Sequence, residues 1–125
     1  MSFRQEPTTA RGQRAEELAA EHLCSQGYQL LQRNYRCKVG EIDIIARHGD
    51  VLCFVEVRSR RSATFGHPLE TVDRRKQTRI IRATQHYLTA HRCGDAPVRF
   101  DVVAIVYEPK LEIQLIPGAF EATHY

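Results

Sequence analysis

The run GEIDIIARHGDVLCFVEVRSR, residues 40–60, sets three acids, Glu41, Asp43 and Glu56, and one arginine, Arg58, among branched and aromatic neighbours. Residues 40–47 and 51–58 flank a turn signal at His48, Gly49 and Asp50, so they read as a β-hairpin. With Gly49 and Asp50 as a two-residue loop, Asp43 stands opposite Glu56 and Glu41 opposite Arg58. Residues facing each other across such a pair share a sheet face, with Cβ atoms roughly 4.5–5.5 Å apart. Period-two alternation agrees, because Glu41 and Asp43 are two apart and so are Glu56 and Arg58. Two carboxylates about 5 Å apart repel by roughly 3 kcal/mol at an effective dielectric of about 20. A shared proton, an arginine or a divalent cation offsets that repulsion. Hard oxygens taken two at a time suit magnesium, whose remaining positions go to water and substrate phosphate. Arg58 on Glu41 would leave Asp43 and Glu56 for metal; a cross-strand ionic network without metal is the other reading of the same spacing.

The elements that must position these residues follow from periodicity. Across residues 11–26, Ala15, Leu18, Ala19, His22 and Leu23 recur at three and four, and Gly27 stands where a left-handed cap ends a helix. YQLLQRNY, residues 28–35, is a weakly patterned strand ahead of the hairpin. SRRSATFGHP, residues 59–68, has no period and reads as a surface loop. A second helix over residues 71–90 puts Ile80, Ile81, Thr84, Tyr87 and Leu88 on one stripe and its bases mostly on the other. Residues 98–107 form a nearly continuous apolar run of buried-strand type, and Glu108, Pro109 and Lys110 turn it into a short last strand over 111–116. The order is α-β-β-β-α-β-β. The hairpin is antiparallel, whereas the long crossover through the second helix favours a parallel pair. An α/β fold results, with a mixed sheet and helices packed on its faces.

Composition bounds the function. A chain of 125 residues is read as a single domain, 1–125, with its first ten residues expected to be disordered. No apolar run is long enough to span a membrane and the polar start lacks a signal-peptide core, so a cytoplasmic location is expected. The scattered cysteines, Cys24, Cys37, Cys53 and Cys93, read as reduced thiols, with Cys53 in the core. The net charge is only +3, yet eight bases against two acids lie between Arg58 and Arg82, leaving the rest of the chain acidic. A concentrated basic segment beside acids is the footprint of a polyphosphate partner; a solvated helix face is the bland alternative. No H-x-x-x-H pair and no Gly-rich triphosphate loop is present.

Asp43 followed by Glu56-Val57-Arg58 resembles the D…(E/D)-x-K signature of the PD-(D/E)XK nuclease superfamily, and the α-β-β-β-α-β order resembles the core of its restriction endonuclease-like three-layer fold, here with a short final strand. The wording is closer still to the YraN-like uncharacterised bacterial family, related in pattern to Holliday junction resolvases. The resemblance is carried by GQRAEELA, GYQLLQRNYR, GEIDIIA, FVEVRSR, Phe65-Gly66, KQTRIIRATQHYL, RFDVVAI and Ala119-Phe120. It implies an endonuclease that hydrolyses phosphodiester bonds in branched or otherwise structured DNA, with magnesium, or manganese in its place. Alternatives are a nuclease-fold module that binds nucleic acid without useful catalysis, and a protein interaction domain held by an ionic network. Resolvase-like relatives act as homodimers because a four-way junction presents two symmetric cleavage points; for this chain the point stays open.

Residue by residue, the resemblance implies that Asp43 and Glu56 hold the metal with the backbone carbonyl of Val57 and an acid of the first helix, Glu16, with Glu17 as its neighbouring alternative. Glu41 lies outside that set. Arg58 departs from the usual lysine: arginine keeps its proton, so it can hold a water or a phosphate but is a poor base. Lys76, Gln77 and Arg79 are expected to approach phosphates, joined by Arg60 and Arg61 from the loop. Phe65 reads as a hydrophobic anchor before a base-stacking residue, and Asp101 as structural, within reach of Arg99.

Overall fold

Ala15, Ala19 and Leu23 repeat at four residues, so a helix that forms here turns one apolar stripe inward, and α1 (Ala10–Ser25) buries all three. It ends in a Schellman cap: Gly27 takes φ +90°, Tyr28 N–H reaches the Leu23 carbonyl at 3.0 Å and Gly27 N–H the Cys24 carbonyl at 3.1 Å. The computed structural model describes residues 10–64, 66–68 and 72–122. Apart from Ala10, which opens α1, the stretch expected to be disordered lies outside those residues, as does Phe65.

The strands are β1 (Gln29–Cys37), β2 (Gly40–His48), β3 (Val51–Ser62), β4 (Val98–Glu108) and β5 (Glu112–Phe120), in one sheet of order β1-β2-β3-β4-β5. Only β3 and β4 run parallel, across the crossover that contains α2 (Arg74–Ala90). Ile44, Ala46, Cys53, Val55, Val103 and Ile105 pack with α1 on one face. Ile45, Phe54 and Phe100 pack with Ile80, Ile81 and Tyr87 of α2 on the other. The strands are therefore buried on both faces, which explains their unbroken apolar runs, and the layers are helix, mixed sheet, helix, as in the restriction endonuclease-like fold. No helix among the described residues is long and apolar enough to cross a membrane.

Three boundaries differ by more than two residues from the sequence reading. Residues 59–62 are not loop: Ser59, Arg60 and Ser62 continue the parallel ladder on Ile105, Val106 and Glu108, because β4 is long enough to supply partners to a segment that has no apolar pattern of its own. α2 starts at Arg74 rather than 71, since the Asp73 carboxylate accepts Lys76 N–H at 3.0 Å and caps the helix there. β5 runs past Pro117 to Phe120, which an edge strand permits. A register shift between Phe100 and Val102 lets Gly118 N–H reach Asp101 at 2.9 Å.

Asp101, fully buried, also accepts from Arg99 Nε at 2.9 Å, from Arg99 Nη2 at 3.0 Å and from Tyr28 Oη at 2.8 Å. The guanidinium donates in turn to Tyr28 Oη at 2.7 Å. Four donors around one carboxylate satisfy a charge that would otherwise be too costly to bury, and they bolt β4 to β5 and to the end of α1. Cys53, in the core as expected, has its thiol pKa pushed up to about 11, first by burial and then by Asp101.

Candidate active site

The hairpin register is the expected one. Gly49 and Asp50 form the turn, with His48 opposite Val51 and Ile44 opposite Val55. At Asp43 the regular ladder stops. Ile45 and Ile44 face α2 and α1 respectively, yet Ile42 lies with Ile45 on the α2 side, so side-chain alternation breaks between them. The Asp43 carboxylate there takes the place of a ladder partner and accepts Val57 N–H on Oδ2 at 2.8 Å.

This kink brings Asp43 against Glu56. The Asp43 carboxyl is held well above the usual carboxylate range, first by burial and next by the Glu56 charge, with the Val57 amide opposing both. Glu56 is only 5% exposed. Its charge is met by Arg58 Nη1 at 3.2 Å and Lys76 Nζ at 3.6 Å, both on Oε2. Glu41, Asp43, Glu56, Arg58, Lys76 and Arg79 line a cavity of about 320 Å³ between the ends of β2 and β3 and the first turns of α2.

Lys76 reaches Glu56 because α2 sits close to the sheet. At Gly40 an added Cβ would meet the Arg79 carbonyl oxygen at 2.8 Å, nearer than real Cβ contacts come. Only a residue without a side chain lets the start of β2 and the second turn of α2 approach this far. Gln77 Nε2 donates to the Val72 carbonyl at 3.1 Å, so its amide helps secure the helix start.

Asp43, Glu56, Val57, Arg58, Lys76 and Arg79 thus come together at one cavity. Two expectations need correction. The four hairpin side chains do not share one regular face, because alternation breaks at Asp43. Nor does Arg58 form the expected pair with Glu41: Arg58 bonds Glu56, and Glu41 is bridged at 3.2 Å by Arg36, its ladder partner on β1. A cross-strand neighbour in register wins over a more distant one. Glu16 lies close enough to raise the Asp43 carboxyl further, and its Oε1 accepts from Asn34 Nδ2 at 3.1 Å and Arg33 Nη2 at 3.5 Å; Glu17 is exposed. Arg60 Nε is buried without a hydrogen-bond partner among the described residues, whereas Arg61 bonds Glu108 at 3.3 Å.

No group of three or more His, Cys, Asp or Glu side chains among the described residues is arranged as a metal cage. The donor set is instead two carboxylates in a polar recess, and one or two carboxylates plus waters and substrate phosphate is how magnesium is commonly held. Sequence reading overlooked Arg33, Asn34 and Arg36, which orient Glu16 and Glu41. The signal in the sequence was an asparagine in the middle of a polar strand; in the structure Asn34 adopts φ +55°, a conformation asparagine tolerates better than most residues.

A family model described as uncharacterised protein family UPF0102 matches residues 15–105, a span that holds Glu16, Asp43, Glu56, Arg58, Lys76 and Arg79. A UPF0102 protein of Syntrophus aciditrophicus is 45% identical over 125 residues, covering 99% of this chain and 98% of the relative. One from Moorella thermoacetica is 45% identical over 113 residues, 88% and 94% of the two chains. Another, from Lachnoclostridium phytofermentans, is 48% identical over 105 residues, 83% and 86%.

Proposed function

We propose that this chain, which belongs to the uncharacterised protein family UPF0102, is a metal-dependent endonuclease that cleaves phosphodiester bonds in branched or otherwise structured DNA. The observation that carries this reading is the Asp43–Glu56 pair in a recess whose wall is Lys76, Arg79 and Arg58. Acids that crowd together raise their own affinity for a cation, and bases around them attract a polyanion.

Asp43 and Glu56 would hold magnesium or manganese, with Glu16 and the Val57 backbone as the further candidates. Bound there, the cation supplies Lewis acidity toward phosphate and lowers the pKa of its water. Lys76 and Arg79, which line the same recess, would bind phosphate oxygens beside the carboxylates. Arg58 donates to Glu56 and keeps its proton, so its part is to orient Glu56 and to meet negative charge on the phosphate, not to accept a proton. Arg60, whose buried Nε has no hydrogen-bond partner among the described residues, and Arg61 continue β3 away from the recess, where they would meet further phosphates of the strand.

Arg58 also favours a second reading. A site that lacks the usual lysine base suits a module that binds nucleic acid at the same recess without turning it over. Incubating the protein with four-way, flapped, single-stranded and duplex DNA in manganese separates the two. Cleavage by the wild type that is lost in Glu56→Gln is the result expected of the nuclease. Equal cleavage by both proteins would overturn it, and binding without cleavage would leave the module.

A further inference from the structure

α2 carries five bases, Arg74, Arg75, Lys76, Arg79 and Arg82, and no acid. Arg74, Arg75 and Lys76 crowd its first turn, where the helix dipole disfavours cations. Arg75 and Arg79 are four apart and Arg79 and Arg82 three apart, so like charges stack along one side, an arrangement that weakens an isolated helix. All three are exposed. Elsewhere, Arg33, Arg36, Arg58, Arg61 and Arg99 lie 2.9–3.5 Å from a carboxylate oxygen. Among the described residues no acid pairs with Arg75, Arg79 or Arg82.

A helix that accumulates repulsion on one flank, with no acid of its own to relieve it, is set up for an external anion. Arg79 ties this flank to the cleft, since it lines the recess beside Asp43 and Glu56. From Arg75 to Arg82 the helix advances by about 10 Å at roughly 1.5 Å per residue, close to three steps of a nucleic-acid strand that rises about 3.4 Å per nucleotide.

Resting on the nucleic-acid reading of the cleft, we propose that Arg75, Arg79 and Arg82 form a phosphate rail along which one strand lies for three nucleotide steps beside the recess. The ligand is then an oligonucleotide backbone, not a mononucleotide or a free phosphate. Arg75 and Arg82 bind without touching the carboxylates.

The test is binding of fluorescent single strands, from dinucleotide to tetranucleotide and longer, across a salt series in chelator, so that no hydrolysis is needed. Arg75→Gln/Arg82→Gln is compared with wild type and with Arg74→Gln/Arg92→Gln, which removes the same charge away from the rail. The rail double should lower the slope of log affinity against log salt by about 1.4, roughly 0.7 per lost contact on single strands. It should also lose the affinity that wild type gains between dinucleotide and tetranucleotide, and it should melt no lower than wild type, because stacked like charges have been removed. The control double should keep both the slope and the length gain. Equal slopes in the two doubles, a length gain retained without Arg75 and Arg82, or no binding of DNA by the wild type would overturn the rail. Cleavage with an unaltered slope in the rail double sinks the rail and spares the nuclease. An altered slope in a protein that never cleaves does the reverse.

Discussion

Replacing Asp43 with Asn should stabilise the metal-free protein and abolish its response to metal. In wild type, a buried Glu56 and a half-buried Asp43 line one recess, and the Asp43 carboxyl is raised well above its ordinary range by burial and by the Glu56 charge. Two charges about 5 Å apart repel by roughly 3 kcal/mol at an effective dielectric of about 20. Arg58 and Lys76 on Glu56, together with partial access to water at Asp43, reduce what a neutral residue can recover to about 1–2 kcal/mol. Asn keeps an oxygen for Val57 N–H and an amide for Glu56, so the gain is not offset by a lost hydrogen bond. At about 4 °C per kcal/mol for a domain of this size, Asp43→Asn should melt roughly 4–8 °C above wild type in chelator at neutral pH. The pH dependence has a definite sign. An acid whose pKa is raised on folding binds more protons in the native state, so stability falls as pH climbs from the unfolded value, about 3.9, through the folded one. Wild type should lose stability across that window and Asp43→Asn should not. Magnesium or manganese at about a hundredfold over its dissociation constant should add roughly 2.7 kcal/mol to wild type and nothing to the variant. Thermal melting with and without metal, from mildly acidic to neutral pH, reads all three quantities. A variant that melts below wild type in chelator would mean that the acids and their bases are a net stabilising network, and an equal metal-induced shift in both proteins would place the cation elsewhere.

Two further perturbations probe what holds the recess. Gly40→Ala should cost about 1–3 kcal/mol in denaturant unfolding, because its Cβ would press on the Arg79 carbonyl oxygen from 2.8 Å and push α2 off the sheet; unchanged stability would show that the helix shifts freely. Tyr28→Phe removes the hydroxyl that links Arg99 to Asp101 and should cost about 1–2 kcal/mol while the metal-induced shift in melting survives, since Asp101 points to the α1 side of the sheet. Loss of that shift would mean that the network acts across the sheet on the recess.

How much was legible in the residues depended on whether a feature was local. The Gly49-Asp50 turn sets the hairpin register, which runs residue 43 toward residue 56, so the acidic pair is legible in the residues even though the regular ladder ends at Ile44 and Val55. Helix stripes at Ala15, Ala19 and Leu23 and at Ile80, Ile81 and Tyr87, with a crossover between two apolar strands, were enough for two helices on opposite faces of a mixed sheet. Family wording pointed to the same recess. Alternation alone, however, could not show that Ile42 crosses to the α2 side, nor that Arg36 reaches Glu41 and leaves Arg58 to Glu56. Periodicity assigns a residue to a face, but which partner it meets there depends on the neighbouring strand and its register, and β1 was too polar to announce either. Lys76 meets Glu56 from another element altogether, through the close approach of α2 at Gly40. Sequence by itself determined which residues carry the charge and which sheet they occupy; the tertiary packing decided how each charge is neutralised, because ion pairing is set by distances of a few ångströms between elements far apart in the chain.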